Sequence, residues 1–253
     1  MRARKNHTAT QCAYCKKKFF GQYATQKFCS ITCSNRFNLN NKNNGVSLPK
    51  QKTKDLAELF GILLGDGSVT PYYVKIYLNL IADTNYVPYV YTLCKKLFPG
   101  AVVTRTPRPA RGTEDIQISS CEVSRFLVRN GFHPKERDVP LWIQKNATFI
   151  KATIRGLVDT EGSIGIKYFN AKKGKRFYKQ ITFTNKNKNL LTFVESHLIL
   201  FGYSPTKNSR KNIYISNAKD VMRYTNDIGS SNPKLTKRLF SRVIEGHQYG
   251  GVG

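Results

Sequence analysis

The sequence predicts an α+β fold: two αββαββα half-domains related by a pseudo-twofold axis, with antiparallel sheets, behind a small N-terminal module framed by cysteines. Three observations carry that prediction. Four of the 6 cysteines fall in one short stretch, an eleven-residue segment recurs 95 positions later, and strand-like alternation follows each copy in the same order. The boundaries read from them are a module at 1–37, a linker at 38–54, half-domains at 55–145 and 146–244, and a tail at 245–253.

The module is defined by Cys12-x2-Cys15 and Cys29-x3-Cys33. Two thiolate pairs, each on a tight turn, place four sulfurs tetrahedrally around Zn2+, and Phe19, Phe20 and Phe28 supply a miniature core. Two disulfides are the alternative, but nothing in the sequence suggests the oxidising compartment they need. Cys94 and Cys121 lie on apolar periodicities and read as small core residues. Lys16, Lys17, Lys18 and Lys27 favour a nucleic-acid contact, with a solvated basic face the equal alternative for any single lysine. The Asn/Lys-rich run from Asn38 to Lys54 has no hydrophobic period and reads as linker.

The repeat lays Leu59-Phe60-Gly61-Ile62-Leu63-Leu64-Gly65-Asp66-Gly67-Ser68-Val69 on Ile154-Arg155-Gly156-Leu157-Val158-Asp159-Thr160-Glu161-Gly162-Ser163-Ile164. Each copy reads as a helix with a carboxylate in its last turn, stopped by a glycine (Gly67, Gly162) free to adopt the left-handed conformation. Strands follow. Lys75 to Asn79 parallels Gln180 to Thr184, Ile116 to Cys121 parallels Ile213 to Ala218, and the Pro134-Lys135 pair parallels Pro233-Lys234. Gly61 and Gly65, like Gly156 and Thr160, are four apart, so each helix carries a strip of small residues that lets a partner helix approach closely. Packed together, the helices bring Asp66 and Glu161 side by side. Two converging carboxylates repel unless cations bridge them, which suits a hard divalent ion such as Mg2+. A carboxylate is unfavourable at a helix C-terminus, so its recurrence argues for a purpose beyond turn formation. Asp159 has Leu64 as its counterpart and reads as structural or supporting.

These paired helices resemble the signature of LAGLIDADG homing endonucleases in the single-chain, two-motif form, over residues 55 to about 244. The spacing, Val139-Pro140-Leu141-Trp142-Ile143 and the Pro-Lys pairs add to the likeness. The resemblance implies a site-specific endonuclease that uses Mg2+ or Mn2+ to hydrolyse both strands of a long, imperfectly symmetric DNA target, leaving 3′ overhangs. It implies metal held by Asp66 and Glu161 with Gly65 and Thr160 beside them, and Lys135 and Lys234 as active-site lysines, though a surface phosphate contact explains either lysine equally well. Lys75 and Gln180 are weaker candidates for positions in a water network. A symmetric catalytic histidine is not expected, because Asn232 stands opposite His133.

Strand parity gives candidate DNA contacts. Val74, Ile76 and Leu78 face inward, as do Ile164, Ile166, Ile181 and Phe183. Lys75, Tyr77 and Asn79, with Ser163, Lys167, Gln180, Thr182 and Thr184, face outward, and Gln117 and Tyr214 lie on the matched later strands. The turns are basic: Arg105, Arg108 and Arg111; Lys173 and Arg176 among their neighbours; Arg210 between two lysines.

Charge agrees with a polyanionic partner. The 253 residues carry 42 Lys+Arg against 15 Asp+Glu, a net charge of +27, with a pI near 10.0. With 40% hydrophobic residues, 15 Phe and 14 Tyr, the chain has material for a core and is no disordered basic tail. Leu190 to Phe201, interrupted by Glu195, is too short and polar to span a membrane, and the basic N-terminus lacks the apolar run of a signal peptide. The expectation is an intracellular monomer, in cytoplasm, nucleoid or a DNA-containing organelle. Its partner is double-stranded DNA, with intron RNA as a further candidate. The alternative function is a non-cleaving nucleic-acid binder, either an intron maturase or a DNA-binding regulator. An intein-embedded nuclease and a His-Asn-His nuclease are both disfavoured by the chain ends and the scattered histidines.

Overall fold

Two helices form the spine. Helix α2 (Lys54–Asp66) starts where the Thr53 hydroxyl accepts from the Leu56 N–H, and α6 (Ala147–Glu161) where the Asn146 side chain accepts from Thr148 and Phe149. In the computed structural model, residues 9–23, 25–42, 45–133, 135–171, 174–209 and 211–241 are described. Lys173, Arg210 and the tail at 245–253 lie outside them. Among the described residues, no helix is long and apolar enough to cross a membrane.

Each spine helix runs straight into an antiparallel four-stranded sheet. In the first half, β3 (Gly67–Val69), β4 (Val74–Asn79), β5 (Val102–Arg108) and β6 (Thr113–Ser119) have the order β3-β4-β6-β5. In the second, β7 (Gly162–Ala171), β8 (Gly174–Thr184), β9 (Thr206–Ser209) and β10 (Asn212–Ile215) repeat it as β7-β8-β10-β9. Helices α3 (Val87–Leu97) and α4 (Cys121–Arg129) follow the first and second hairpins of one half, and α7 (Lys188–Leu200) and α8 (Ala218–Asp227) those of the other. Short α5 (Leu141–Gln144) joins the halves, and α9 (Pro233–Phe240) ends the second. The predicted α+β architecture is the observed one.

A single core covers one face of both sheets, with Leu59, Ile62, Leu63, Ile76, Ile116, Leu157, Ile181 and Ile213 almost fully buried. Trp142 pins the junction: its ring meets Phe60 and Phe149 edge-on, and its indole N–H donates to the Asn130 carbonyl at 2.9 Å. Cys94 and Cys121 are buried core residues, as expected.

Four details differ from the sequence reading. Gly67 and Gly162 are extended, at φ −108° and −101°. Their lack of a side chain serves packing, because a Cβ on Gly67 would lie 2.6 Å from the Leu63 carbonyl oxygen and one on Gly162 2.5 Å from that of Val158. The linker begins later than residue 38, since α1 (Ile31–Lys42) continues past it, and Val46 and Leu48 then pack on the core. Phe20, at the end of β2 (Lys18–Phe20), which pairs antiparallel with β1 (Ala9–Gln11), is 73% exposed, and the module's aromatic contact is instead Phe28 against Phe37, 5.1 Å between centroids. Ile166 is 43% exposed, against 1% for Ile164, because the β7–β8 hairpin runs out beyond the core.

Candidate active site and nucleic-acid interface

The spine helices touch through backbone. A Cβ on Gly61 would overlap the Thr153 carbonyl oxygen, and one on Gly156 that of Glu58. At the C-terminal ends, a Cβ on Gly65 would overlap the Thr160 hydroxyl and lie 3.2 Å from Glu161 Cγ. The predicted small-residue strips are therefore the contact surface, and they set Asp66 and Glu161 together. Burial, then the Glu161 and Asp83 carboxylates, push the Asp66 carboxyl up to about 7 against the pull of Arg137. Burial also raises Glu161, again opposed by Arg137. Neither carboxylate accepts a hydrogen bond among the described residues. Two crowded, poorly solvated carboxylates are a hard oxygen donor set that gains from a divalent cation. The Gly65 carbonyl is already engaged by Arg137, and the Thr160 hydroxyl donates into its own helix, to Gly156 and Leu157.

Arg137 escaped the sequence reading. Its guanidinium donates to the carbonyls of Leu64 (3.3 Å), Gly65 (2.9 Å) and Gly67 (3.3 Å), closing the last turn of α2 with positive charge. Its backbone is held at φ 51°, uncommon for a non-glycine residue. Nothing in the pattern separates it from the other basic residues. Asp83 was missed as well. It accepts from Lys234 Nζ at 2.9 Å and from the Asn232 side chain at 3.1 Å, so the candidate lysine is tied to an acid near Asp66. Lys135, its counterpart, is exposed. Asp159 is buried at the interface of the halves, accepting from the Ser230 hydroxyl and the Ser231 N–H. Beside it, buried Glu58 binds Tyr89 and Ser231, with Arg155 at 3.5 Å.

The ladders revise one pairing. Gly67 lies opposite Ile76 and Gly162 opposite Phe183, while Ile76 also faces Ile116 and Phe183 faces Ile213. The structural counterpart of Lys75 is therefore Thr182, not Gln180. Gln180 instead faces Gly165 and bonds Ser216, while Lys75 sits 3.9 Å from Asp115 and over the Tyr73 ring. A shift of two preserves side-chain parity, so the outward assignments stand.

Away from the helices, both sheets present polar faces. The first shows Lys75, Tyr77, Asn79, Gln117 and Arg108; the second shows Ser163, Lys167, Arg176, Gln180, Thr182, Thr184 and Tyr214. Arg111 lies in the turn between β5 and β6. Arg105 does not belong here: it is opposite Ile116, on the helix-side face, where it pairs with Glu114 at 2.8 Å. Asn79 folds back to cap its own loop at Ile81 and Ala82. One acid interrupts the first face, buried Asp115, flanked by Lys75 and Arg108.

The four N-terminal cysteine sulfurs all lie within 4.8 Å of one another, with Cys29 3.5 Å from both Cys15 and Cys33, and none is disulfide-bonded. A tetrahedron with Zn–S bonds of about 2.3 Å has edges of about 3.8 Å, so the donor set fits Zn2+. Its hydrogen bond to Cys33 and its contact with Cys15 push Cys29 up to about 12, whereas Cys12, despite burial, is drawn down to about 6 by backbone groups at Cys15, Cys29 and Tyr14.

Comparison with known proteins bears on the fold. Residues 148–229 match the LAGLIDADG-like domain family. The meganuclease I-SmaMI, solved bound to uncleaveable DNA, superimposes with a TM-score of 0.50 at 10% identity, covering 76% of this chain and 88% of that one. I-DmoI in complex with DNA and Mn gives 0.49 at 19% identity, covering 70% and 97%, and full-length DUF199/WhiA from Thermatoga maritima gives 0.46 at 16%, covering 79% and 65%. No curated protein sequence matches the chain.

Proposed function

We propose, for a chain whose second half carries a LAGLIDADG-like domain and whose first half repeats its architecture, that the protein is a divalent-metal-dependent, site-specific DNA endonuclease. The convergence of Asp66 and Glu161 at the ends of two interlocked helices carries this reading. Each acid ends its helix immediately before the sheet of its own half, so each serves one strand of a duplex lying across both outward faces. Asp66 and Glu161, with the Gly65 and Thr160 backbone beside them, would hold Mg2+ or Mn2+, which when bound would supply positive charge for the leaving oxygen and a more acidic water. Arg137 offsets the paired carboxylates, and Lys234, if released from Asp83, brings a cation toward phosphate. Lys135, exposed, is free to do the same in the other half.

The outward side chains make base and phosphate contacts, Lys75, Arg108, Lys167 and Arg176 tracking the backbone, and Zn2+ organises the N-terminal module. The internal duplication makes one chain sufficient for both strands, so the protein acts as a monomer inside the cell, where its DNA is. A selection from a randomised duplex library in Mg2+ tests the reading. Cleavage with 3′ overhangs is expected, lost in Asp66→Asn and Glu161→Gln while binding persists. Tight binding without cleavage in Mg2+ or Mn2+ would replace it with the non-cleaving binder, and preference for structured intron RNA would make that binder a maturase.

A further inference from the structure

The two halves differ most in their first hairpins. From equivalent glycines, β7 runs for 10 residues (Gly162–Ala171) but β3 for only 3 (Gly67–Val69). At about 3.3 Å per residue, the second half reaches outward about 23 Å farther along the polar face. At the tip of the short hairpin, where the longer one would continue, sits the cysteine module. Arg36 of α1 donates to the Tyr72 hydroxyl at 3.2 Å in the β3–β4 turn. Between helix and sheet runs a groove of about 480 Å³, lined by Thr32, Asn35 and Arg36 on one side and Tyr72, Gln117 and Ser119 on the other.

Every one of those side chains can form hydrogen bonds and none is acidic. Gln117 is itself an outward position, opposite Lys75, so the groove is continuous with the polar face of the first sheet. Charge points the same way. Residues 1–54 contain 12 Lys+Arg and no Asp or Glu, all 15 acids of the chain lying from Asp55 onward. Such a stretch has nothing to neutralise it within itself and is suited to a polyanion.

The geometry points to the cysteine module as a structural substitute for the missing hairpin length: its helix α1 and the β3–β4 turn grip the phosphate backbone of duplex DNA on the flank next to the first half-domain. The inference deepens the DNA-binding reading above and rests on it. The module takes no part in the site at Asp66 and Glu161. Zinc bound by the four cysteines would hold α1 against the turn, and the footprint on DNA is built differently at its two ends, by a helix on one and a β-ribbon on the other.

The test uses the full-length, zinc-loaded chain and a 40-base-pair duplex of random sequence, with a 40-nucleotide RNA hairpin as second probe. Affinity is measured across a salt series for the parent, for Asn35→Ala/Arg36→Ala, and for Lys167→Ala/Arg176→Ala on the long hairpin. The module variant is expected to lose roughly 3- to 10-fold in duplex affinity at moderate salt and to flatten the slope of log K against log salt by about 1, with zinc content and melting temperature unchanged. The hairpin variant should weaken binding comparably. Parent-like affinity and slope in the module variant, while Lys167→Ala/Arg176→Ala weakens binding, would overturn this inference and leave DNA binding intact. A loss confined to the RNA probe would overturn it in favour of an RNA contact. A parent that fails to bind the duplex removes the DNA-binding reading itself.

Discussion

Gly61 and Gly156 meet backbone to backbone: a Cβ on Gly156 would lie 3.2 Å from the Gly61 carbonyl carbon and overlap the Glu58 carbonyl oxygen. Neither obstacle is a flexible side chain, so a methyl group at either position forces α2 and α6 apart. Gly61→Ala and Gly156→Ala should each cost about 1–3 kcal/mol in chemical denaturation, the range for overpacking in a tight core. Gly165, with nothing within 4 Å of its Cβ position, provides the control, and Gly165→Ala should shift stability by only a few tenths. Equal effects at all three positions would show that the helices do not interlock as described.

The paired acids predict a pH-dependent cost. Asp66 titrates near 7 in the fold, against 3.8 when unfolded, chiefly through burial and then the Glu161 and Asp83 charges. Below 3.8 both states are protonated and there is no differential. Between 3.8 and 7 the folded state keeps a proton that the unfolded state releases, and above 7 it must carry the poorly solvated charge, so the relative stabilisation falls as pH rises. Asp66→Asn removes the charge. Without added divalent metal, it should match the parent at pH 3.5 and exceed it by about 1–3 kcal/mol at pH 8. A difference independent of pH would contradict the crowded-carboxylate geometry. Mg2+ should narrow the gap at pH 8 by binding the parent's carboxylates.

Much of this site is legible in sequence because the same constraints act twice. Interlocked helices need small residues at Gly61, Gly65, Gly156 and Thr160, and a sheet with one buried face needs alternation, so both leave a periodic trace. What the sequence hides is whatever has no period. A two-residue slip of strand register keeps every side chain on its face, so hydrophobic alternation could not distinguish Thr182 from Gln180 as the partner of Lys75. By its charge Arg105 reads as a DNA contact, but parity with Ile116 puts it on the opposite face. Arg137 and Asp83 arrive from loops through tertiary folding, and neither has an equivalent in the other repeat to draw attention to it.

The cysteine module predicts a thiol-accessibility pattern. Zinc-loaded protein should show no rapidly alkylated cysteine, because the module sulfurs are ligated and burial lifts the Cys94 thiol to about 12. A chelator should expose Cys12, Cys15, Cys29 and Cys33 with release of one Zn2+ per chain, leaving Cys94 and Cys121 protected until denaturation. Mass spectrometry of the alkylated peptides checks both steps. Release of zinc without exposure of these thiols would remove the metal from this site.

Arg137 is the residue whose substitution most directly separates charge from geometry at the acids. Its fork holds three carbonyls at the end of α2 and its charge opposes the upward shift of both Asp66 and Glu161. Arg137→Lys keeps a cation but loses the planar, multidentate grip, whereas Arg137→Gly loses both and relieves the φ of 51°. The lysine variant should therefore bind divalent metal with near-parent pH dependence but cleave more slowly, through a loosened helix end. The glycine variant should also need about 10- to 100-fold more Mn2+ for half-maximal binding at pH 7, the range expected when a group supporting metal ligands is removed. Raising the pH to 8.5 should recover part of that loss, since the acids, now less opposed by positive charge, are then ionised. Unchanged Mn2+ titrations in both variants would confine Arg137 to capping α2 and deny it any hold on the carboxylates.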